Sequence, residues 1–414
     1  MNRLLIKNIR TLAGIVPADT LLLRGEQMGS AEQIDGAWLL AEDGVIVGFG
    51  PMETCPAEVA DKVVDASGRV VFPAFCDSHS HIVYAGSREG EFRDKIAGMT
   101  YQEVAARGGG ILNSADRLHE ASEDELFEAA YHRAWRMIRT GAATLEIKSG
   151  YGLTTEDELK MLRVVARLQR ELPATVKATF LGAHAVGRAF AGRQSDYVDH
   201  VCEQMLPAVA EQGVAEFVDV FCDSGFFTPE ETARILECGA RYGLRPKIHA
   251  NELDASGGVQ LGVEEGALSV DHLERAGAPE IEALRGSTTI PTLLPGAAFF
   301  LGMDYPPARA MISAGLPVAL ASDYNPGSSP SGNMRMVMSL GSIRMRMTPT
   351  EALNAATING AAAMGISHDF GSITVGKVAN FFITKPMPSP EFFVYAYSTP
   401  LISRTFLRGE EQTH

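Results

Sequence analysis

Two histidines set two residues apart, His79 and His81, follow a short apolar run from Val70 to Phe75. In extended chain, residues i and i+2 project to the same side. Both imidazoles can therefore grip one metal ion from the end of a strand without contorting the backbone. Beyond them Arg88 offers a planar guanidinium fork suited to a carboxylate, and Gly86 gives the chain before it freedom to turn. An H-x-H pair is equally at home as two ordinary polar side chains, so its chemistry depends on further ligands supplied from elsewhere.

The elements that would supply them begin at about Val70, where apolar strands start to alternate with amphipathic helices. The strand segments are VVFPAF, AATLEIK, VKATFL, FVDVFC, RPKIHA, ALSVDH, TTIPTL and PVALAS. Helix starts are marked by Ser122 with Glu125 and Thr155 with Glu158, which have capping-box spacing. Thr228-Pro229-x-Glu231 and Thr348-Pro349-x-Glu351 each place a cap, a proline at the first helical position and a glutamate at the third. Gly141, Gly213 and Gly243 are expected helix stops. Eight strands alternating with helices over about 300 residues predict an α/β fold, a (β/α)8 TIM-like barrel. A doubly wound open sheet is the alternative, but no G-x-G-x-x-G follows an early strand.

The chain ends have a different character. LLIKNI, AWLLAEDGVIVGFG and KVVDASGRVV at the start, with turns at Asp43-Gly44 and Ser67-Gly68, read as short strands. GSITVGKVANFFI, FFVYAY and LISRTFLRG at the end read the same way. The expected division is a small β-sandwich domain made from residues 1–69 and 366–414, and a barrel over residues 70–365.

Nearly every barrel strand delivers a polar residue at its C-terminal end. His79 and His81 follow the first, Lys148 and Tyr151 the second, His184 the third and Asp223 the fourth. His249, Asn251 and Glu252 end the fifth, Asp271-His272 the sixth, and Asp323 and Asn325 the eighth. Barrel enzymes build their sites on this rim from several different strands. Each residue also has a plainer reading. His249 could be a satisfied core histidine, His272 could pair with Asp271 to hold a loop, and Asp323 could cap the turn before Pro326. Lys148 could form an ion pair with Glu146, and Arg88 a surface bridge to Glu89 or Glu91. His119, His132, His200, His368 and His414 lie in helical or loop stretches and are expected to be solvated or structural. Gly108-Gly109-Gly110 is no P-loop, since no Lys-Ser/Thr follows, and reads as a mobile loop near the mouth.

Composition bounds the partners. The 414 residues are 46% hydrophobic and 21% charged, which suits an ordinary globular protein. A net charge of −15 argues against nucleic acid or an anionic membrane as partner, and an anionic substrate would need a local basic group. The five scattered cysteines contain no C-x-x-C pair and fit free thiols in a reducing compartment. No secretory signal opens the sequence. The longest uncharged stretch, Gly286 to Met303, is interrupted by Pro291 and Pro295 and suits a buried strand and loop better than a membrane span. A soluble cytoplasmic protein is expected.

An H-x-H after the first strand, a His after the fifth, a His after the sixth and an Asp after the eighth resembles the ligand order of the amidohydrolase superfamily. The stretches HIVYAGSREGEF, RGGGI, EIKSGYGL, TFLGAHAV, DVFC, SVDHLE and SDYNPGSS are similar, more specifically, to the imidazolonepropionase family within it. The resemblance runs almost end to end. It implies one divalent metal, Zn²⁺ or Fe²⁺/Fe³⁺, held by His79, His81, His249 and Asp323, and a homodimer. It also implies substrate contacts at Arg88, Tyr151, His184, Glu252, Asn325, Gly327 and Ser328. Asn251, Gly187 and Asn380 depart from the pattern, where a carboxylate, a proline and an aspartate are usual.

The activity so implied is hydrolytic opening of the cyclic amide of 4-imidazolone-5-propanoate to N-formimidoyl-L-glutamate, in histidine degradation, with metal-bound water as nucleophile. A bound metal can bring the pKa of that water to roughly 7. Asp323 would take its proton, His272 would hydrogen-bond it or meet the oxyanion, and Glu252 would pass a proton to the leaving nitrogen. Arg88, supported by Tyr151 and His184, would clamp the propanoate. A two-metal site with a carbamylated Lys148 is disfavoured, because Lys148 lies on the second strand and not the fourth. The rivals are another single-metal amidohydrolase, such as a nucleobase aminohydrolase releasing ammonia, and a metal-dependent binding protein without activity.

Overall fold

A computed structural model of the chain describes residues 2–30, 32–57, 60–99, 103, 107 and 109–413; Gly108 of the glycine triplet and His414 lie outside the described residues. The strands, in chain order, start with β1 (Arg3–Ile15), β2 (Glu32–Glu42), β3 (Val45–Pro51), β4 (Lys62–Asp65) and β5 (Val70–Pro73). Then come β6 (Phe75–Asp77), β7 (Ala142–Lys148), β8 (Thr175–Ala183), β9 (Phe217–Cys222) and β10 (Arg245–Ala250). β11 (Ser269–His272), β12 (Ile290–Leu293), β13 (Ala319–Leu320), β14 (Phe381–Thr384), β15 (Ile402–Leu407) and β16 (Glu410–Glu411) complete the set.

Strands β6 to β13 lie side by side in sequence order, all parallel, with helices between them. This is the expected barrel, and it is nearly closed. All seven residues of β7 are buried, which is what a strand covered on both faces requires. The two edge strands meet just above their ends. Ser80 and Tyr324 form a parallel bridge, His81 N–H donates to Tyr324 O (3.0 Å), and Asp323 N–H donates to His79 O (3.0 Å). The segments that close the barrel are thus the ones that carry His79, His81 and Asp323.

A second, mixed sheet combines both chain ends in the order β16-β15-β14-β5-β1-β2-β3, with β4 pairing β1. Asp43 and Gly44 have φ of +47° and +83°, the type I′ geometry of a tight hairpin between β2 and β3. The run VVFPAF is not one strand. It splits at Ala74, leaving Val70–Pro73 in the mixed sheet and starting the barrel at Phe75. Ala74 N–H donates to Asn380 O and Phe75 N–H to Gly141 O, so adjacent residues bond to different sheets. FFVYAY also departs from expectation. Phe392–Tyr395 is a short helix, with Phe393 and Val394 buried consecutively rather than in strand alternation. Phe393 packs its ring 5.1 Å from Phe72 and 5.4 Å from Phe382.

The capping boxes at Ser122, Thr228 and Thr348 form as expected. The one at Thr155 does not. Thr154 caps that helix, and Glu158 turns instead to the loop before it. No helix among the described residues is long and apolar enough to cross a membrane.

Candidate active site

The strand ends bring four donor groups together. His79 Nε2 lies 3.1 Å from His81 Nε2, and His249 Nε2 lies 3.4 Å from His81 Nε2. Asp323 Oδ1 is 3.6 Å from both His79 Nε2 and His81 Nε2. On their far sides, His79 Nδ1–H donates to Asp271 Oδ2 (2.6 Å) and His249 Nδ1–H to Asp219 Oδ1 (3.1 Å). An ionised carboxylate only accepts, so each of these rings, in its neutral form, turns a bare Nε2 lone pair inward. At most one of the three converging nitrogens, that of His81, can carry a hydrogen. All of these side chains are buried. Converging lone pairs beside a carboxylate in a dry site are satisfied by a cation, so the donor set fits a divalent metal.

Around this cluster the backbone is strained. His272, Asp323 and Asn251 have φ of +85°, +52° and +56°, a region costly for residues other than glycine. His272 stands between two carboxylates, with Nε2 3.7 Å from Glu252 Oε2 and Nδ1 3.5 Å from Glu274 Oε2. Burial works against charge on His272, but those two carboxylates outweigh it and hold the imidazole well above its ordinary range. Burial also pushes the Glu252 carboxyl up to about 7, against the pull of His272. The plainer reading of His272 paired with Asp271 is not what forms, since Asp271 faces His79.

One cavity gathers the expected residues. Arg88, Tyr151, His184, Glu252, His272, Asn325, Gly327 and Ser328 line it together with His81, His249 and Asp323, and His79 lies directly behind. Arg88 is almost wholly buried rather than a surface bridge, with Nε and Nη2 donating to Glu91 Oε2 (2.8 and 2.6 Å). Its Nη1 lies against Gly327, where an added Cβ would sit 2.3 Å away, so only glycine leaves room for the guanidinium. Glu91 in turn accepts from Gly110 N–H and Asn113 Nδ2, tying the glycine-rich segment to the mouth.

Two loops are fixed by single buried carboxylates. Glu158 accepts from the N–H groups of Gly150, Gly152 and Leu153 (3.0, 2.7 and 2.9 Å), which sets the loop of Tyr151. Asp223 accepts from the N–H groups of Glu252, Leu253 and Asp254 (2.8, 2.9 and 3.0 Å), which sets the loop of Glu252. Gly187 abuts the Tyr151 loop, where a Cβ would meet Leu153 O at 2.6 Å. Asn325 folds its own loop, its Oδ1 accepting from Gly327 N–H and Ser328 N–H (both 2.7 Å). His184 Nδ1–H donates to Gly150 O (2.9 Å), so its Nε2 is an acceptor, and burial drives its pKa down to about 3.

Several partners escaped the sequence reading. Ile111 and Phe221 also line the cavity, and apolar residues carry no sequence signal of that role. Asp219, Asp271 and Glu274 support the histidines. A charged residue inside otherwise apolar strands such as FVDVFC and SVDH is the signal that marks the first two. Lys148 does pair with Glu146 (2.6 Å), and also with Asp219 (2.8 Å). His119, His200 and His368 find partners away from the cavity, at Asp157, Thr155 and Asp369. Asn251 is buried, and neither end of its amide has a hydrogen-bond partner among the described residues. Asn380 Oδ1 accepts from Arg408 N–H (2.8 Å), a bond an aspartate would accept equally well.

The model of the Amidohydrolase family matches residues 70–410. The imidazolonepropionase of Flavobacterium johnsoniae is 51% identical over 406 residues, covering 98% of this chain and 99% of that one. That of Geobacillus thermodenitrificans is 44% identical over 388 residues, 92% of each chain. Among solved structures, atrazine chlorohydrolase from Arthrobacter aurescens complexed with zinc superposes with a TM-score of 0.73 at 16% identity, covering 99% of this chain and 94% of that one. An adenosine deaminase from Xanthomonas campestris with bound zinc gives 0.71 at 14%, covering 99% and 92%. At these identities the two structures share the fold alone.

Proposed function

The chain belongs to the imidazolonepropionases of the amidohydrolase family, and on that premise we propose that it opens the cyclic amide of 4-imidazolone-5-propanoate, giving N-formimidoyl-L-glutamate. In this reading it is a cytoplasmic homodimer acting in histidine degradation. The observation that carries the proposal is one cavity joining a metal-capable cluster to a buried arginine. His79, His81, His249 and Asp323 would hold a single zinc or iron ion. When bound, such an ion supplies Lewis-acid chemistry, making water nucleophilic near neutral pH and drawing charge from an amide carbonyl.

The protein's own groups do the rest. Arg88 binds the propanoate, since its guanidinium lines the cavity while the other cationic group there, His272, is already flanked by Glu252 and Glu274. Glu91, bonded to Nε and Nη2, fixes the plane of the fork. His184 presents an acceptor and suits a ring N–H better than the carboxylate. Tyr151, its ring 6.0 Å from that of His81 and 5.4 Å from that of His184, closes the same side. With the ring so held, water adds to the carbonyl carbon. Asp323 accepts one water proton, its Oδ2 steadied by Ser328 Oγ (3.2 Å). His272, kept protonated by its flanking carboxylates, donates to the developing oxyanion. Glu252 delivers a proton to the ring nitrogen as the C–N bond breaks, so the leaving group departs neutral.

Incubating the metal-loaded protein with 4-imidazolone-5-propanoate, cytosine and guanine tests this reading. Ring opening of the first and no ammonia from the other two is expected; ammonia from a nucleobase would transfer the protein to the aminohydrolase reading. In the same assay Arg88→Met removes about 1.5–3 kcal/mol of charge-assisted bonding. That lowers kcat/KM by roughly ten- to hundredfold with metal content unchanged. Unaltered kinetics would mean that Arg88 serves only its bridge to Glu91.

A further inference from the structure

The barrel interior beneath the histidines holds a layer of charge that the proposed chemistry does not use. Lys148 on β7 is fully buried, and its Nζ reaches Glu146 Oε1 (2.6 Å), Asp219 Oδ2 (2.8 Å) and Asp271 Oδ2 (3.6 Å). Asp219 lies on β9 and Asp271 on β11, so the ammonium joins three alternate strands of the barrel. Its two aspartates are the ones that hold the imidazoles of His249 and His79 by Nδ1.

Each aspartate has a further tether. Asp219 Oδ1 accepts from His249 N–H (3.2 Å), and Asp271 Oδ1 accepts from Ser269 Oγ (2.6 Å). Neither tether carries charge. Without the ammonium, each carboxylate keeps only its histidine and that one neutral tether. It is then free to turn, and the imidazole bonded to it turns with it, so the Nε2 atom is no longer held facing the site. Glu146 does not depend on Lys148 alone, because Lys247 also bonds to it.

We propose that Lys148 is a positioning residue for the metal centre: one ammonium pins the carboxylates of Asp219 and Asp271 in place and so fixes the orientation of two histidines from separate strands. The inference rests on the reading of His79, His81, His249 and Asp323 as metal ligands. Its immediate chemical consequence is that Lys148 remains an ammonium salt-bridged to carboxylates, not a carbamate bridging two ions.

The test is metal affinity, measured on folded protein by competition with a chromogenic zinc chelator, with the cobalt-substituted protein's visible spectrum as a second readout. Lys148→Met keeps an unbranched side chain one atom shorter and removes its charge. Loss of a group supporting the ligands typically weakens metal binding about 10- to 100-fold, and that fall is expected, with a changed cobalt spectrum. Because Lys148 acts through Asp219, combining Lys148→Met with Asp219→Asn should weaken binding by less than the product of the two single effects.

If Lys148→Met does not fold, Lys148→Met/Glu146→Gln removes one charge of each sign from the layer and is measured against Glu146→Gln alone. Parental affinity and spectrum in the folded variant, or effects that simply multiply, would overturn the proposal and leave Lys148 as a structural ion pair. Absence of metal binding by the parental protein would instead defeat the ligand assignment, so the two failures are distinguishable.

Discussion

Replacing His79 and His81 together by alanine will empty the metal site and abolish turnover. The parental protein should carry close to one zinc or iron equivalent per chain by elemental analysis, and the double variant essentially none. Two of the three imidazole nitrogens converging on the site are then gone, leaving His249 and Asp323, too few to hold a divalent ion against buffer. Lewis-acid activation is worth several kcal/mol, and each 1.36 kcal/mol is tenfold in rate. Activity should therefore fall by more than about 10³-fold. Neither histidine contributes to the apolar core, so the barrel should still fold, which circular dichroism and thermal unfolding check. Two tightly bound equivalents in the parent, or full metal retention in the double variant, would refute the ligand assignment.

Glu252→Gln will separate chemistry from binding. Glutamine preserves shape and hydrogen bonding, and the loop stays in place because Asp223 grips its backbone, not the side chain of Glu252. What is lost is proton transfer to the leaving nitrogen. General acid–base assistance is worth about 10²–10⁴-fold, so kcat should drop by at least the lower factor with metal still bound. His272→Ala should slow turnover likewise through loss of the oxyanion's donor. Metal content is the control, because a ligand role for either residue would empty the site. Turnover of Glu252→Gln at the parental rate would confine Glu252 to substrate positioning and pass the proton to Asp323 or His272.

The barrel was legible in the sequence because its strands are short apolar runs, nearly all of which deliver a polar residue at their C-terminal end. The rim residues were legible for the same reason, and the family motifs named the subset proposed here as ligands. Legibility failed where tertiary context overrode local pattern. Val70 to Phe75 looks like one strand, yet the chain changes sheets at Ala74, and nothing in an apolar run marks that break. Thr155 and Glu158 have capping-box spacing, but Glu158 has three loop N–H groups within reach and binds those instead.

The charged layer was half visible. Glu146, Lys148, Asp219 and Asp271 each interrupt an apolar strand, which signals an inward-facing charge, but their mutual pairing depends on barrel register across β7, β9 and β11. Asp223 was legible as a rim residue but not as the clamp of the Glu252 loop. That role appears only once residues about thirty apart in sequence are brought together by the parallel pairing of β9 with β10.

A single-metal site and an arginine clamp are proposed to share one cavity, and a crystal structure with a non-hydrolysable analogue of 4-imidazolone-5-propanoate tests that most directly. The propanoate should lie on the Arg88 guanidinium beside Gly327. The carbonyl carbon should face a single metal among His79, His81, His249 and Asp323, with Glu252 within hydrogen-bond reach of a ring nitrogen. A propanoate held away from Arg88, or a ring bound with its carbonyl turned from the histidine cluster, would contradict the account.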